Sequence, residues 1–272
     1  MSSSVAAPKR INYDVQVGFA IAGLHEEPSS RSRLHTQVLP GELLEVVTDP
    51  PGQWLECRTR CGDYRGYVHR SKVSDAKVRI PTHRVVAKAG VLRFVGDQLD
   101  FKCPIETILP INALVSAQDH LHEYAIIGDG YAIKRSALWP IVEPVPHWIR
   151  ILRTLRGEPY FWGTRGKGYD CSGLVQAGLI LRGDQDVPHN VGMMLTKYGA
   201  STLVLTNQLM NGGLLTGDLI FWQGHVGVMV DSQIVLHTSK DTGEVCEQRL
   251  LEVYRARVAA GDDPLIKAVV RL

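Results

Sequence analysis

The sequence is poor in cysteine, in long apolar runs and in excess charge, and each shortage removes a class of protein. Five cysteines in 272 residues, without regular spacing, do not make a disulfide framework. They fit a reducing compartment and leave at least one thiol free. No apolar stretch approaches the roughly 20 residues that a membrane-spanning helix needs, so no membrane partner is expected. The N-terminal MSSSVAAPKRINYDV has no apolar core of a secretory signal, and cytoplasmic residence is the expectation. Thirty Lys and Arg against 28 Asp and Glu give a formal charge of +2, which argues against a nucleic-acid partner. Any charge selectivity must be local.

What is present is an ordinary globular composition in a chain long enough for two or three domains. From Val15 to Val142, short alternating or β-branched runs are broken by Gly, Pro and Asp, the texture of two small all-β units. Pro40 and Pro110 each precede an apolar strand, and Tyr67 to Ser71 and Tyr131 to Ser136 each pair an aromatic-bearing strand with a basic-Ser turn. These correspondences read as an internal duplication. The proline-rich WPIVEPVPHW then marks a linker. Beyond it, IRILRTLRG reads as a helix ended by Gly157, CSGLVQAGLILRG as a helix capped by Asp170 and closed by Gly183, and a third helix follows Pro188. GDLIFW, HVGVMV and QIVLHTS follow as strands, so helices precede strands in an α+β domain. The expected boundaries are a flexible N-terminus over 1–12, β units over 13–78 and 79–142, and the α+β domain over 143–272.

The stretch from Tyr160 to Gly173 carries the chemistry. Cys171 stands at the first turn of its helix, where unpaired N–H groups and the positive end of the dipole favour a thiolate. Gly173, Ala177 and Gly178 are small enough to let that helix pack closely on a neighbour. His225 opens one strand and His237 lies near the end of the next, so a hairpin sets one imidazole to orient the other; nucleophile, base and orienter are then all present. Cys57 and Cys61 near His69 are read as strand residues, because a zinc site lacks its second ligand pair. His120 to Glu123 reads as a polar turn, and Gly128-Asp129-Gly130 as a turn with no helix behind it to hold a phosphate.

YFWG, YDCSGLV, TGDLIFW, GHVGVMV and VLHTS, in this order, resemble the NlpC/p60 family of papain-like cysteine peptidases. The first β unit, through TQVLPGELLEVV, the Trp54 strand and DYRGYVHRSKV, resembles a bacterial SH3-like domain, and the second resembles it more loosely. Together they resemble the γ-D-glutamyl-L-diamino acid endopeptidases that cut murein peptides. The fold this implies is a papain-like α+β catalytic domain preceded by two small SH3-like barrels. The resemblance implies Cys171 as nucleophile, His225 as base and acid, His237 as its orienter and Tyr160 as a contributor to the oxyanion pocket. It implies Asp170 and Ser172 as partners of the substrate's free amino group, with Glu27 and Tyr64 on loops of the first barrel that cap the groove. It implies a murein peptide as partner, hydrolysis between D-Glu and the diamino acid during cell-wall recycling, and no metal or cofactor. The sequence departs from the family at Thr164, at the basic loop Arg165 to Lys167 and at Pro188-His189, all expected near the substrate groove. Two other readings stand beside this one: an amidase or acyltransferase that uses the same Cys171 and His225, and a non-catalytic wall-binding protein in which the SH3-like pair is the working part and the C-terminal domain is vestigial.

Overall fold

The computed structural model describes residues 9–75, 78–88, 90–94, 107–128, 130–203, 212–239, 241–263 and 265–272. Residues 1–8 of the expected flexible N-terminus, and Asp129, lie outside them. A strand already runs over Lys9–Val17, so residues 9–12 are sheet and not a flexible lead. The chain divides into two compact units, one ending at Pro144 and one running from Val145 to Leu272.

In the first unit, a seven-stranded antiparallel sheet has the order Leu34–Val38, Ala22–His25, Arg65–His69, Trp54–Thr59, Leu43–Asp49, Lys9–Val17, Val73–Ser74. Alternate residues of these strands, among them Val15, Val17, Leu24, Leu44, Val46, Leu55 and Val68, point inward and form one core. Cys57 belongs to that core, and burial together with the Glu56 charge pushes its thiol up to about 12. A second set of strands from His83–Val85 to Leu138–Pro140 encloses its own core around Val85, Leu109, Val115, Ile127 and Ile133. The suspected duplication has a structural counterpart. The two basic-Ser segments are single 3-10 turns, Arg70–Lys72 and Arg135–Ala137, each following a strand that carries an aromatic residue. The two proline turns also match, with their prolines one place apart: Gly41, directly after Pro40, and Asn112, two residues after Pro110, both take positive φ, at 80° and 66°. His122 and Glu123 form the turn between strands Asp119–Leu121 and Tyr124–Gly128.

The second unit contains helices α1 (Trp148–Arg153), α2 (Cys171–Arg182), α3 (Val191–Tyr198) and α4 (Leu250–Ala259). Its six-stranded antiparallel sheet has the order Thr202–Leu203, Ala268–Val270, Leu219–Trp222, His225–Met229, Ile234–Ser239, Glu244–Arg249. α1 is shorter than its sequence suggests: it ends at Arg153, and a turn carries the chain to Gly157 at φ 81°. α2 has the expected limits, with Asp170 as N-cap and Gly183 in the left-handed conformation after its last residue. It is almost wholly buried, and it packs on the His225 and His237 strands on one side and on α1 on another. The small residues make this possible. A Cβ on Gly178 would meet the Trp148 ring at 2.7 Å, and one on Gly173 would meet the Thr164 carbonyl at 2.2 Å. The Glu244–Arg249 strand and α4 were not read from the sequence, and both line the site.

Candidate active site

Helix α2 delivers Cys171 from its first turn, and the sheet delivers the two histidines. Cys171, His225 and His237 line one cavity of about 460 Å³ together with Tyr160, Trp162 and Gln248. His225–Met229 pairs antiparallel with Ile234–Ser239, with Val228 opposite Leu236 and Met229 opposite Val235. Continuing that register sets Gly227 opposite His237 and makes His225 its diagonal neighbour on the same face. Gly227 is small for a reason: a Cβ there would stand 3.1 Å from the His237 Cβ and 2.6 Å from a Val235 methyl. His237 can therefore lie over Gly227 toward His225.

The imidazoles meet at 3.0 Å, His225 Nε2 to His237 Nδ1. His237 Nε2 in turn lies 2.8 Å from Gln248 Oε1. This chain has a direction. The Gln248 amide oxygen only accepts, so His237 donates from Nε2; a neutral His237 then accepts at Nδ1, and His225 donates from Nε2. Nδ1 of a neutral His225 is consequently an acceptor. His237 suits the role: burial lowers its affinity for a proton, ahead of the opposing hydrogen bond to Gln248, so it favours the neutral form. A protonated His237 would carry hydrogens on both nitrogens and could no longer accept from His225. Trp222 lies against the His225 ring at 5.5 Å between centroids.

Gln248 was missed in the sequence because EVCEQR shows no alternation of apolar and polar residues. Register alone brings it in, since His237 pairs with Cys246 and Gln248 is two residues farther on the same face. Gln248→Leu should lower kcat by about 10- to 100-fold, through loss of the acceptor that fixes the tautomer. Gln248→Glu restores an acceptor and should recover most of the rate. Its carboxylate would also stabilise protonated His237, so the acid limb of the pH–rate profile should move to higher pH. An unchanged rate in the Leu variant would exclude this bracing role.

Around the sulfur, burial and the Asp170 carboxylate act against charge and push the Cys171 thiol up to about 12. The N–H groups of Val226, Ser172 and Cys171 itself oppose them. The helix N-terminus favours the thiolate expected from the sequence, and burial acts against it. Those of its N–H groups that are not used by Asp170 remain directed at the sulfur, where an oxyanion would form. Tyr160 faces the same place. Burial, followed by the Cys171 and Asp170 charges, raises its phenol and keeps it a protonated donor.

Asp170 and Ser172 lie elsewhere. Neither lines the cavity; both are buried behind the first turn of α2. Asp170 Oδ1 accepts from the Gly173 N–H at 2.7 Å and the Ser172 hydroxyl at 3.0 Å and lies 2.8 Å from His189 Nε2, while Oδ2 accepts from the Gly163 N–H at 2.8 Å. Burial would raise this carboxyl, but the His189 charge and hydrogen bond, with the Gly173 and Gly163 N–H groups, hold it below its ordinary value. The departures at Thr164, Arg165 and His189 are likewise not on the groove. All three residues are buried, the Thr164 carbonyl accepts from the Asp170 N–H at 3.0 Å, and His189 secures the cap of the helix that carries Cys171. Glu27 and Tyr64 belong to the first unit. Glu27 is exposed after the Ala22–His25 strand, and Tyr64 is half-buried against the first core. Among the described residues no cluster of three His, Cys, Asp or Glu could hold a metal ion.

Comparison with known proteins covers both units. The model of the NlpC/P60 family matches residues 157–260, and that of the bacterial dipeptidyl-peptidase Sh3 domain matches residues 24–73. Among solved structures, the chain is similar to a NlpC/P60 family protein from Bacillus cereus, at 16% identity over 95% of this chain and 99% of that one, with a TM-score of 0.73. NlpC2 from Trichomonas vaginalis aligns at 16% identity over 97% of this chain and 98% of that one, with a TM-score of 0.43. The peptidoglycan hydrolase RipB from Mycobacterium tuberculosis aligns at 26% identity over 47% of this chain and 64% of that one, with a TM-score of 0.35. No curated protein sequence matches the chain significantly. The Bacillus likeness establishes a shared α+β architecture.

Proposed function

The chain carries an NlpC/P60 cysteine-peptidase domain behind a bacterial dipeptidyl-peptidase SH3 domain, and from that premise we propose that it hydrolyses the bond between γ-D-Glu and the diamino acid of murein peptides. The observation that supports this best is the relay from Gln248 through His237 to His225, in the cavity that Cys171 lines. It leaves His225 able to take one proton and give it back.

Burial disfavours a lone thiolate, and the sulfur's proton goes to His225. The Cys171 sulfur adds to the γ-carbonyl of D-Glu as its proton passes to the imidazole. The tetrahedral oxyanion is met by the N–H groups of Cys171 and Ser172 and by the Tyr160 hydroxyl. His225 then protonates the departing amine, the C–N bond breaks, and a thioester remains on Cys171. In the second half, His225 takes a proton from water, the hydroxide adds to the thioester, and the thiolate leaves and is reprotonated. No metal or cofactor takes part in these steps.

We assign the protein to recycling of small, released peptides in the cytoplasm, with free-amino stem peptides as substrates. Asp170, which does not line the cavity, would serve the substrate's ammonium only through its negative charge from behind the first turn. Incubation with L-Ala-γ-D-Glu-diaminopimelate, with and without an N-acetyl group, tests this. The free-amino peptide should be cut at least about tenfold faster. Equal rates would remove amino recognition while leaving the peptidase standing.

A further inference from the structure

The first unit has a pocket of its own on the outer face of its sheet. Leu24, Leu55 and Val68 point into the core, so strand alternation turns their neighbours His25, Trp54 and His69 to the other face. Trp54 stands opposite His69 in the register. Both imidazoles flank its indole nearly at right angles, His69 at 5.2 Å and 88° and His25 at 5.7 Å and 82° between centroids and planes. Gly23 makes room for this, since a Cβ there would lie 2.5 Å from His25 Nε2. With Pro28, Ser30, Gln53 and Lys72 these residues line a cavity of about 460 Å³.

The polar groups of this cavity are donors. His69 Nδ1 accepts from the Ser71 N–H at 3.3 Å, so a neutral His69 donates from Nε2 to Gln53 Oε1 at 3.2 Å. That bond takes the amide oxygen and leaves the Gln53 NH2 for another acceptor. The Gln53 NH2, the Ser30 hydroxyl, the Trp54 indole N–H and the Lys72 ammonium have no partner among the described residues. No Asp or Glu among the described residues lines the cavity, and Glu56, next along the same face from Trp54, is held by Arg65 at 2.7 Å.

The fold does not demand this set. The Arg70 and Arg135 N–H groups donate to the Gln53 and Glu123 carbonyls, each at 2.8 Å, and Tyr124 stands opposite Lys134 as Trp54 does opposite His69. The second unit therefore builds the same turn with Glu123, Tyr124, Lys134 and Ala137 in the places of Gln53, Trp54, His69 and Lys72. There the carboxylate and the ammonium answer each other at 3.7 Å. The indole and the unanswered cation are particular to the first unit.

An indole rimmed by short donors suits a sugar, which offers an apolar C–H face and oxygen acceptors around its edge. The ammonium adds a preference for a carboxylate. We propose that this pocket binds an acidic sugar, its ring packed against Trp54, its carboxylate on Lys72 and its other oxygens on Gln53 and Ser30. The carboxylate is borne on the ring in a uronic acid and on an ether arm in muramic acid, and the recognition chemistry is shared. The inference stands on the first unit and does not depend on the peptidase reading.

Titration of the full chain, labelled with nitrogen-15, tests it at the indole N–H signal that Trp54→Phe removes from the five tryptophans. N-acetylmuramic acid or D-glucuronic acid should shift that signal with a Kd of about 1 mM. Each acid should bind at least about fivefold more tightly than its neutral counterpart, N-acetylglucosamine or D-glucose. Lys72→Gln should erase the advantage of the acids, and Gln53→Ala should weaken acid and neutral sugar alike; both residues are exposed, so neither change threatens the fold. D-lactate, a carboxylate without a ring, should leave the signal in place, and the acid that binds more tightly identifies where the carboxylate is borne. The site is overturned if no sugar moves the signal, if the acids bind no better than the neutral sugars, if Lys72→Gln leaves their advantage intact, or if lactate shifts the signal as they do. A stronger response to L-Ala-γ-D-Glu-meso-diaminopimelate, added to Cys171→Ala protein so that it is not cut, would assign the pocket to a peptide and overturn it as well.

Discussion

His225→Ala should lower kcat on L-Ala-γ-D-Glu-diaminopimelate by about a million-fold, the scale seen when the base of a nucleophile–base pair is removed. The reason is specific to this site. Burial pushes the Cys171 thiol up to about 12, so the sulfur depends on the imidazole to take its proton. Labelling of Cys171 by iodoacetamide at neutral pH should slow in the same variant, whereas His237→Gln should retain more of both signals. Cys171→Ala combined with His225→Ala should be no slower than either change alone, because the pair acts as a unit. A His225→Ala protein within about tenfold of the parent would mean that another base serves the sulfur.

Asp170→Ala should cost about 3–5 kcal/mol of stability, measured as the shift of the urea midpoint. The change removes the acceptor for the Gly163 and Gly173 N–H groups and for the Ser172 hydroxyl, and leaves His189 buried without its carboxylate. Asp170→Asn should lose less, since the amide oxygen keeps part of the cap while its NH2 confronts donors. The pH dependence has a definite sign. The folded carboxyl lies below its ordinary value, so its contribution is complete above the unfolded value near about 3.9 and is lost as pH falls through the folded one. The difference in Tm between parent and Asp170→Asn should therefore narrow on acidification below about pH 4. Were Asp170 only a groove residue, its removal would change stability by no more than about 0.5 kcal/mol.

What was legible in the sequence depended on how local each signal was. Asp170, Cys171 and Gly183 announce a capped helix within a dozen residues, and the structure has it. His225 and His237 could be paired because a hairpin joins adjacent strands and its register follows from alternation. The two β units were visible through repeated turn chemistry at Arg70–Lys72 and Arg135–Ala137. Gln248 and α4 were not visible. Gln248 reaches the site through the register of a polar strand, and α4 is a helix with little amphipathic pattern that returns to the sheet only through tertiary packing. His189 shows the same effect in reverse. Its place beside Pro188 suggested the groove, yet folding buries it against Asp170, nineteen residues earlier in the chain.

Product analysis of L-Ala-γ-D-Glu-meso-diaminopimelate treated with the parent or with Cys171→Ala bears most directly on the whole account. The parent should release L-Ala-γ-D-Glu and free diaminopimelate, and the variant neither. Release of the same two products at the parental rate by the protein without that sulfur would contradict it.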